Sequence, residues 1–442
     1  MKKRIPAGLC IIFFLTPVFA AAATAAGAVE MDLEEAVEMA LANPLNLGAA
    51  EAGMAEAEAG LDKARAARWP GLSAGGSMTR VSEQPSMIPG VPPSGPNTYS
   101  TGLSLNWPLY TGGRVSSGIS MAELGLETSR AEYQSRHAQT VYRTLNSYIN
   151  LLKAAETVEL SRRSVEMVEE HLAMVELNYE LGAASGTDLL ETEIRLSQAK
   201  QGAARAEHGK NLAEMNFRNL LGMYEEEKLV LAGVRSIDRD FVFPSQEEAT
   251  AVALESRTEL VTLRNYLALA KENLQSAKGF WKPNVVVVGN YGTDRRSSLE
   301  FSDPTWTLSL AVEANLFSGG GNRATIKERE AAVEKAEYTY RQAVEGIKLE
   351  IKQKYIGIAE ALQTLELAGL TLRQAEENYD FTQARYKLGA AGNLEVLTAQ
   401  NTLNQCRFEK LAAGYDYFLA AMELYQAMGM IEIFLEEVNP NA

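Results

Sequence analysis

One large unit occurs twice in this chain, and that duplication limits the possible folds more than any other feature. The stretch YELGAASGTDLL begins at Tyr179, and YKLGAAGNLEVL begins 207 positions later at Tyr386. Without a gap, the same offset relates further pairs of identical residues: Leu109 and Leu316, Gly112 and Gly319, Tyr133 and Tyr340, Tyr148 and Tyr355, Gly182 and Gly389, Leu196 and Leu403, and Gly222 and Gly429. Because this period is far longer than that of a solenoid, the sequence predicts one large structural unit that is used twice.

The first 26 residues have the features of a secretory signal peptide. Three basic residues at positions 2–4 precede an apolar run at residues 7–20 and an alanine-rich segment, which is the usual order before a cleavage site. Cys10 lies inside the apolar run and does not follow a small residue, so we expect no lipid anchor there. Removal of this segment would leave Cys406 as the sole cysteine, and hence no internal disulfide.

Composition narrows the class of protein. The chain is 46% hydrophobic and 22% charged, which is enough apolar material to bury a core. Its net charge of −15 argues against nucleic-acid binding, because no basic face is available to meet phosphates. After residue 26 there is no run of about 18 apolar residues, so any entry into a membrane must use another kind of element.

Residues that could belong to a catalytic or metal-binding motif lack the sequence context that such a motif requires. His137, His171 and His208 lie on separate helical stretches without the paired spacing of metal ligands, so we expect surface or packing roles. Residues 182–186 lack the strand-to-helix setting of a nucleophile elbow, and residues 318–323 lack the lysine and spacing of a phosphate loop. The sequence therefore predicts no enzyme activity, no cofactor and no metal.

Two stretches alternate apolar and polar residues, which is typical of β-strands with one apolar face. They are residues 99–110 and 306–317, and their expected partners are residues 71–81 and 284–293. We therefore expect strand regions at residues 71–110 and 284–317.

Such strands fit either a half-buried sheet in a soluble domain or the wall of an outer-membrane β-barrel. Alternation alone favours the soluble sheet. A strand length of about 9–11 residues is that of a barrel strand, and the strands are flanked by tryptophans as at a membrane interface: Trp69, Trp107, Trp281 and Trp306. Because a barrel takes at least about eight strands, four strands per chain require several chains to share one barrel.

Long proline-free stretches connect the strands to the repeated motif. Residues 114–181 and 323–388 would each form a helix of about 100 Å if continuous. Two shorter helical segments, 188–221 and 246–278, together match one long helix, so each unit should run down in one piece and return in two. The 4-3 apolar spacing is that of a coiled coil: Val141, Leu145, Tyr148, Leu152 and Ala155.

This arithmetic divides the chain into regions. An equatorial region half way along the helices should contain residues 29–44, 222–245 and 429–442. The long helical region should contain residues 45–70, 114–221, 246–280 and 323–428.

The residues resemble the TolC-type outer-membrane efflux protein family. The matching pieces are MDLEEAVEMALANP, ARWPGLS, LYTGG, LFSGG and the two repeated hairpins, and they run in the family's order from Asp32 to Gly429. The resemblance implies a mainly α fold with a β-barrel portion, in which a homotrimer closes a 12-stranded barrel in outer-membrane lipid. It also implies that the helices form a tunnel across the periplasm, which docks to a periplasmic adaptor and an inner-membrane transporter.

The hairpin turns carry the candidate functional residues. Gly182 and Gly389 stand where a helix end needs a left-handed residue. The acids Asp188 and Glu395 lie in the first turn of the next helix, where a capping box or the helix dipole alone would explain them. We treat these structural roles as an open alternative to any function.

The resemblance implies a second role for the same turns. It places acids that ring and constrict the tunnel entrance just beyond the turns, which makes Asp188, Glu191 and Glu395 the candidate periplasmic gate. Thr398 stands where the family has a further acid. The implied adaptor contacts are Leu181, Gly182, Ala183, Leu388, Gly389 and Ala390, although hairpin structure explains them nearly as well.

The sequence thus predicts an outer-membrane channel-tunnel, the passive exit duct of a tripartite efflux or secretion system. The alternative is a soluble periplasmic coiled-coil scaffold without a channel. The exported substrate is not encoded in the residues of a passive duct.

Overall fold

Two long helical hairpins and one four-stranded sheet make up most of the structure. The computed structural model describes residues 29–80, 97–223, 229–232, 241–296 and 304–438. The helices are α1 (Leu33–Ala42), α2 (Pro44–Ala66), α3 (Arg114–Glu180), α4 (Gly186–Leu221), α5 (Gln246–Ser256), α6 (Thr258–Lys278), α7 (Gly321–Lys387), α8 (Asn393–Met428) and α9 (Ile431–Val438). The strands are β1 (Val29–Met31), β2 (Gly71–Arg80), β3 (Asn97–Thr111), β4 (Leu229–Leu231), β5 (Asn284–Arg296) and β6 (Thr305–Glu313). The predicted signal peptide and Cys10 lie outside the described residues, and the mainly helical fold with strands is confirmed.

The two repeats have helices of equal length. The long helices α3 and α7 have 67 residues each, and the return helices α4 and α8 have 36 residues each. A 67-residue helix is about 100 Å long. Each long helix follows a left-handed glycine, Gly113 (φ 92°) or Gly320 (φ 88°), which redirects the chain from strand to helix. Each therefore runs from the sheet to a distant turn.

The return is made in two pieces. Helix α4 packs along the far half of α3, and α2 packs along the half of α3 near the sheet. In the second repeat, α8 and α6 take the same places along α7. Helix α6 also packs on α3, and α8 contacts α3 as well, so the two repeats lie side by side.

The prediction of one continuous helix over residues 246–278 is wrong. The structure breaks it at Arg257, whose backbone is extended (φ −69°, ψ 119°). Arg257 Nε donates to the Ala427 carbonyl at 2.6 Å, and at the matching break Asn43 Nδ2 donates to the Leu220 carbonyl at 3.2 Å. Leu220 and Ala427 are 207 residues apart. In both repeats the break thus lets a side chain satisfy a carbonyl at the end of a return helix, where no helical partner exists.

The largest core lies half way along the long helices. There β1 pairs in parallel with β4, and α1, α5 and α9 cover α3, α7 and α8. Tyr148 is fully buried, with its hydroxyl 3.2 Å from the Met31 carbonyl and 2.5 Å from the Ala232 carbonyl. The equivalent Tyr355 donates its hydroxyl to the Pro244 carbonyl at 2.5 Å. The same tyrosine in each repeat therefore fastens a connecting segment to a long helix.

The four long strands form one antiparallel sheet in the order β2-β3-β5-β6. Gly71 pairs with Asn106, Leu103 pairs with Tyr291, and β6 joins on the far side of β5. The predicted strand over residues 306–317 ends early, at Glu313. Its partner β5 begins only at Asn284, after a proline that cannot donate to a ladder, so β6 has nothing to pair with beyond Glu313.

Candidate functional site

The sheet has one apolar and one polar face. The register places Leu72, Leu105 and Gly289 opposite one another on the first face, together with other apolar side chains: Met78, Leu103, Trp107, Val287, Leu308, Leu310 and Val312. Several of them are largely exposed, among them Leu72 (69%), Leu310 (64%) and Val312 (65%). This face is too apolar to lie against water over such an area.

The opposite face carries small and hydroxyl side chains and is concave. Ser73 and Ser104 meet across β2 and β3 at 2.7 Å between their hydroxyl oxygens. The register lines up Gly75, Gly102 and Gly292 on three adjacent strands. A Cβ on Gly292 would lie only 2.5 Å from the Thr101 carbonyl oxygen. The row of glycines therefore lets β3 and β5 approach closely where the sheet bends around a cavity of 460 Å³.

The two edges of this sheet lie on different strands. Among the residues described, β2 pairs only with β3, and β6 pairs only with β5. Each edge therefore presents backbone donors and acceptors that a single chain leaves unpaired. Such groups are costly to place in hydrocarbon.

At the other end of α3 and α7, both hairpin turns have the same construction. Gly182 (φ 76°) and Gly389 (φ 73°) adopt the left-handed conformation that ends each helix. The amides of Ala183 and Ala390 then donate back to carbonyls of the preceding turn, at 2.7 and 2.8 Å. The predicted role of the glycines in making the turn is confirmed.

Asp188 is held in a capping box. Its carboxylate accepts from the Ser185 amide at 2.9 Å and the Ser185 hydroxyl at 2.7 Å, while its own amide points to the Ser185 hydroxyl. The structural interpretation of this acid is therefore confirmed. The side chain is half-buried.

Glu395 is held differently from Asp188. Its Oε1 accepts from the Gly392 amide at 3.1 Å, and its Oε2 lies 3.3 Å from Arg385 Nη1. Arg385 also donates to the Ala390 carbonyl at 2.7 Å, so one arginine ties together both sides of the second turn. The first repeat has Asn178 at the position of Arg385. Asp188 and Glu395 thus differ in their charge environment, because only Glu395 lies beside an arginine.

The other candidate residues at the turns differ in their exposure. Glu191 is half-buried, and Thr398 donates its hydroxyl to the Leu394 carbonyl at 2.7 Å. Leu181 is 73% exposed and Leu388 is 84% exposed. Two apolar side chains at the ends of the hairpins therefore contribute almost nothing to the core of the chain.

A buried polar cluster behind the turns was not predicted from the sequence. Asn393, the first residue of α8, donates to the Asp188 carbonyl at 3.1 Å and lies 3.3 Å from the Thr192 hydroxyl. His171 Nε2 lies 2.8 Å from Asn393 Oδ1. The cluster joins α3, α4 and α8 and so brings the turn that carries Asp188 beside the turn that carries Glu395. Sequence spacing gave no signal, because His171 and Asn393 are 222 residues apart.

The described residues contain neither a membrane-spanning helix nor a metal-binding cluster. Within residues 29–80, 97–223, 229–232, 241–296 and 304–438, no helix combines the length and apolarity that a membrane span requires. In the same part of the chain, no group of three or more His, Cys, Asp or Glu side chains is arranged to hold a metal ion.

Comparison with known families decides the class. The sequence model of a family described as outer membrane efflux protein matches residues 36–223 and 250–430. The chain belongs to this family. As an outer membrane efflux protein, it is 24% identical over 353 residues to the alkaline protease secretion protein AprF of Pseudomonas aeruginosa, covering 78% of this chain and 73% of AprF. It is 23% identical over 346 residues to outer membrane protein TolC of Vibrio cholerae, covering 75% of this chain and 77% of that protein.

Solved structures show the same fold. This outer membrane efflux protein superposes on the Campylobacter jejuni CmeC outer membrane channel with a TM-score of 0.80 and 17% identity, over 92% of this chain and 89% of that one. Its family consists of outer-membrane efflux channels. Membership therefore establishes the efflux-channel function and overturns the soluble-scaffold alternative.

Proposed function

We propose that three copies of this outer membrane efflux protein form one passive exit duct from the periplasm through the outer membrane. The observation that carries this proposal is the sheet, whose apolar face and two edges are left uncovered in a single chain. If β6 of each copy pairs with β2 of the next, twelve strands close a barrel with the apolar face toward lipid. The concave face with Ser73, Ser104 and the glycine row then lines the pore.

The helical region extends about 100 Å from the sheet, the length of α3 and α7. Residues 45–70, 114–221, 258–280 and 323–428 form the periplasmic tunnel. Residues 29–44, 222–245 and 429–442 form its equatorial region together with α5, which packs in the core half way along the long helices. Residues 1–26 direct export and are removed, without lipidation. Strands β2, β3, β5 and β6 of the predicted strand regions 71–110 and 284–317 form the barrel wall.

The hairpin turns are the docking end of the tunnel. The exposed Leu181 and Leu388, with their neighbours Gly182, Ala183, Gly389 and Ala390, would contact a periplasmic adaptor that connects the tunnel to an inner-membrane transporter. The carboxylates of Asp188, Glu191 and Glu395 would ring the entrance, where three copies of each favour cations. The relatives' names mention protease secretion in one case, so both efflux and secretion fit a passive duct.

The barrel is tested by charges placed on the two faces of one strand. Leu310→Lys puts a cation on the proposed lipid face, which costs about 2–4 kcal/mol at mid-membrane, whereas Ser309→Lys puts the same cation on the proposed pore face. We expect Leu310→Lys to abolish heat-stable trimers in the outer-membrane fraction and Ser309→Lys to keep them. Equal behaviour of the two variants, or wild-type protein in the soluble periplasm, would contradict the proposal.

The gate is tested in planar bilayers. Asp188→Asn and Glu395→Gln remove charge while keeping acceptors for the Ser185 and Gly392 amides, so the turns should persist. We expect lower cation preference and altered single-channel conductance, whereas Ser185→Ala, which weakens the cap but keeps the charge, should leave cation preference intact. Unchanged selectivity in the double variant would show that the acids serve only as caps.

Docking is tested on the two leucines rather than on the glycines. Any side chain at Gly182 or Gly389 strains the left-handed backbone, so a loss of export there would not separate docking from folding. Leu181→Asp and Leu388→Asp leave the core untouched because both side chains are exposed. We expect trimers and bilayer conductance to persist while export in cells is lost, and retained export would refute the docking role.

A further inference from the structure

The cluster behind the hairpin turns links both repeats through buried polar atoms. His171 is 2% exposed, Thr192 is 0% exposed and Asn393 is 5% exposed. Buried polar groups of this kind are costly unless every donor and acceptor is satisfied. The state of each hydrogen bond in the cluster therefore decides whether the two hairpins stay together.

The hydrogen-bond pattern fixes the orientation of the Asn393 amide. Asp188 offers a backbone carbonyl, which can only accept, and Asn393 Nδ2 lies 3.1 Å from it. The Thr192 hydroxyl donates to the same carbonyl at 2.8 Å and so accepts from Asn393 Nδ2. Asn393 Oδ1 is left to face His171 Nε2 at 2.8 Å. Because this oxygen can only accept, the imidazole must carry its proton on Nε2.

A proton on the second ring nitrogen, Nδ1, would have no hydrogen-bond acceptor among the described residues. His171 Nδ1 is buried and has no hydrogen-bond partner among the described residues. The Tyr386 ring covers the imidazole at 5.3 Å between ring centroids. A doubly protonated imidazole would bury an N–H without an acceptor together with a positive charge, and both are unfavourable. Protonation therefore requires the ring to leave its site.

We propose that His171, Asn393 and Thr192 form a latch that holds the two hairpin turns together only while the imidazole is neutral, so that acidification releases it. The latch goes beyond the duct proposed above and relies on that proposal only for its effect on conductance. Hairpins that separate at this point would carry Asp188 and Glu395 apart. The latch thus makes the far end of the chain sensitive to pH.

The direction of the pH effect follows from burial. Burial lowers the pKa of His171, and the hydrogen bond with Asn393 offsets part of this by raising it. A group whose pKa is lower in the latched state binds its proton more readily when released, so the latch is strongest above the ordinary histidine pKa of about 6.5 and weakens as the pH falls below it. Between pH 7.5 and 5.5 the ratio of latched to released chains should fall by at most about tenfold per latch, the limit reached when the latched imidazole stays neutral.

Other charged side chains lie on the turns around the cluster. The titratable and charged side chains on the flanking turns are Glu170 on α3, Asp188 and Glu191 on α4, Arg385 and Tyr386 on α7, and Glu395 on α8. Carboxylates ordinarily titrate near pH 4, and tyrosine and arginine above pH 9. Histidine is the side-chain type whose ordinary pKa lies between pH 7.5 and 5.5.

The test measures the separation of the turns directly. Nitroxide labels on Ala183→Cys and Ala390→Cys in the exported protein, from which residues 1–26 with Cys10 have been removed, report the distance between turns at pH 7.5 and pH 5.5. The buried Cys406 stays unlabelled. We expect longer distances at pH 5.5 in wild type, and long distances at both pH values in Asn393→Leu. His171→Gln keeps an N–H donor without a titrating group and should hold the short distance at both pH values.

Controls separate the latch from other effects. His208 is exposed, so His208→Gln should respond to pH like wild type. A wild-type distance that does not change with pH, or a His171→Gln variant that still responds, would overturn the latch. If the turns separate on acidification while bilayer conductance stays constant, the latch stands and the gate proposed for the acids is wrong.

Discussion

Tyr148 gives the sharpest test of how the connecting segments are fastened to the long helices. Tyr148→Phe keeps the ring, which packs edge-on against Phe217 at 5.8 Å between centroids, and removes only the hydroxyl. The Met31 carbonyl retains the Ala232 amide as a donor at 2.9 Å, whereas the Ala232 carbonyl loses its 2.5 Å hydroxyl partner. Because Tyr148 itself is fully buried, leaving its hydrogen-bond partner unsatisfied costs about 1–3 kcal/mol.

The second repeat supplies the matched control. Tyr355 makes one hydrogen bond, to the Pro244 carbonyl, and is only half-buried, so water can replace its hydroxyl. We expect Tyr355→Phe to cost about 0.5–1.5 kcal/mol, the net value of an ordinary hydrogen bond. Urea unfolding of both variants in detergent, followed by circular dichroism, measures the difference. Equal costs, or a smaller cost for Tyr148→Phe, would refute the argument from burial.

Ionisation of the same Tyr148 hydroxyl should lower the stability of the folded protein at alkaline pH. Burial raises the pKa of Tyr148, and the nearby carboxylates of Asp32 and Glu35 raise it further. A pKa raised on folding contributes stability that is complete below the unfolded value of about 10 and is lost as the pH rises above it. Wild type should therefore lose stability above about pH 10 more steeply than Tyr148→Phe, and parallel curves would contradict this assignment.

Two further predictions use matched positions. Gly292→Val would place Cβ 2.5 Å from the Thr101 carbonyl oxygen and should abolish heat-stable trimers. Gly75→Val in the same row has open space around its Cβ and should keep them. Native gels of outer-membrane extracts measure the difference. Hydrogen bonds from Ser245 lower the pKa of Glu248, so its contribution should be lost as the pH falls below about 4.5, and Glu248→Gln should flatten the acid limb of the unfolding curve.

Most of the fold could be predicted from the sequence duplication and the lengths of the helical segments. The constant offset and the glycines at 182 and 389 located both turns, because a left-handed helix end depends on local backbone chemistry. The helix break at Arg257 was missed because no proline or glycine marks it. Asn43 is followed by Pro44, which signals the first break, whereas the second depends on a hydrogen bond from Arg257 to a carbonyl 170 residues away.

The candidate site was predictable where its chemistry is local and not where it depends on tertiary contacts. The capping box of Asp188 follows from a spacing of three residues. The ion pair of Glu395 with Arg385 joins the two helices of the second hairpin across ten residues, whereas helical sequence patterns indicate pairs only three or four residues apart. His171 was expected in a surface or packing role; its burial beside Asn393 arises only when the two repeats pack together.

The sheet edges that the described residues leave unpaired constrain the order of assembly and membrane insertion. A lone chain that entered lipid would expose the backbone groups of β2 and β6 to hydrocarbon, at several kcal/mol for each unsatisfied group. If the copies share one barrel as proposed, insertion must follow their association rather than precede it. The rate of membrane insertion should then rise more steeply than linearly with the concentration of exported chains, and a mutant that blocks pairing between copies should accumulate on the periplasmic side of the membrane.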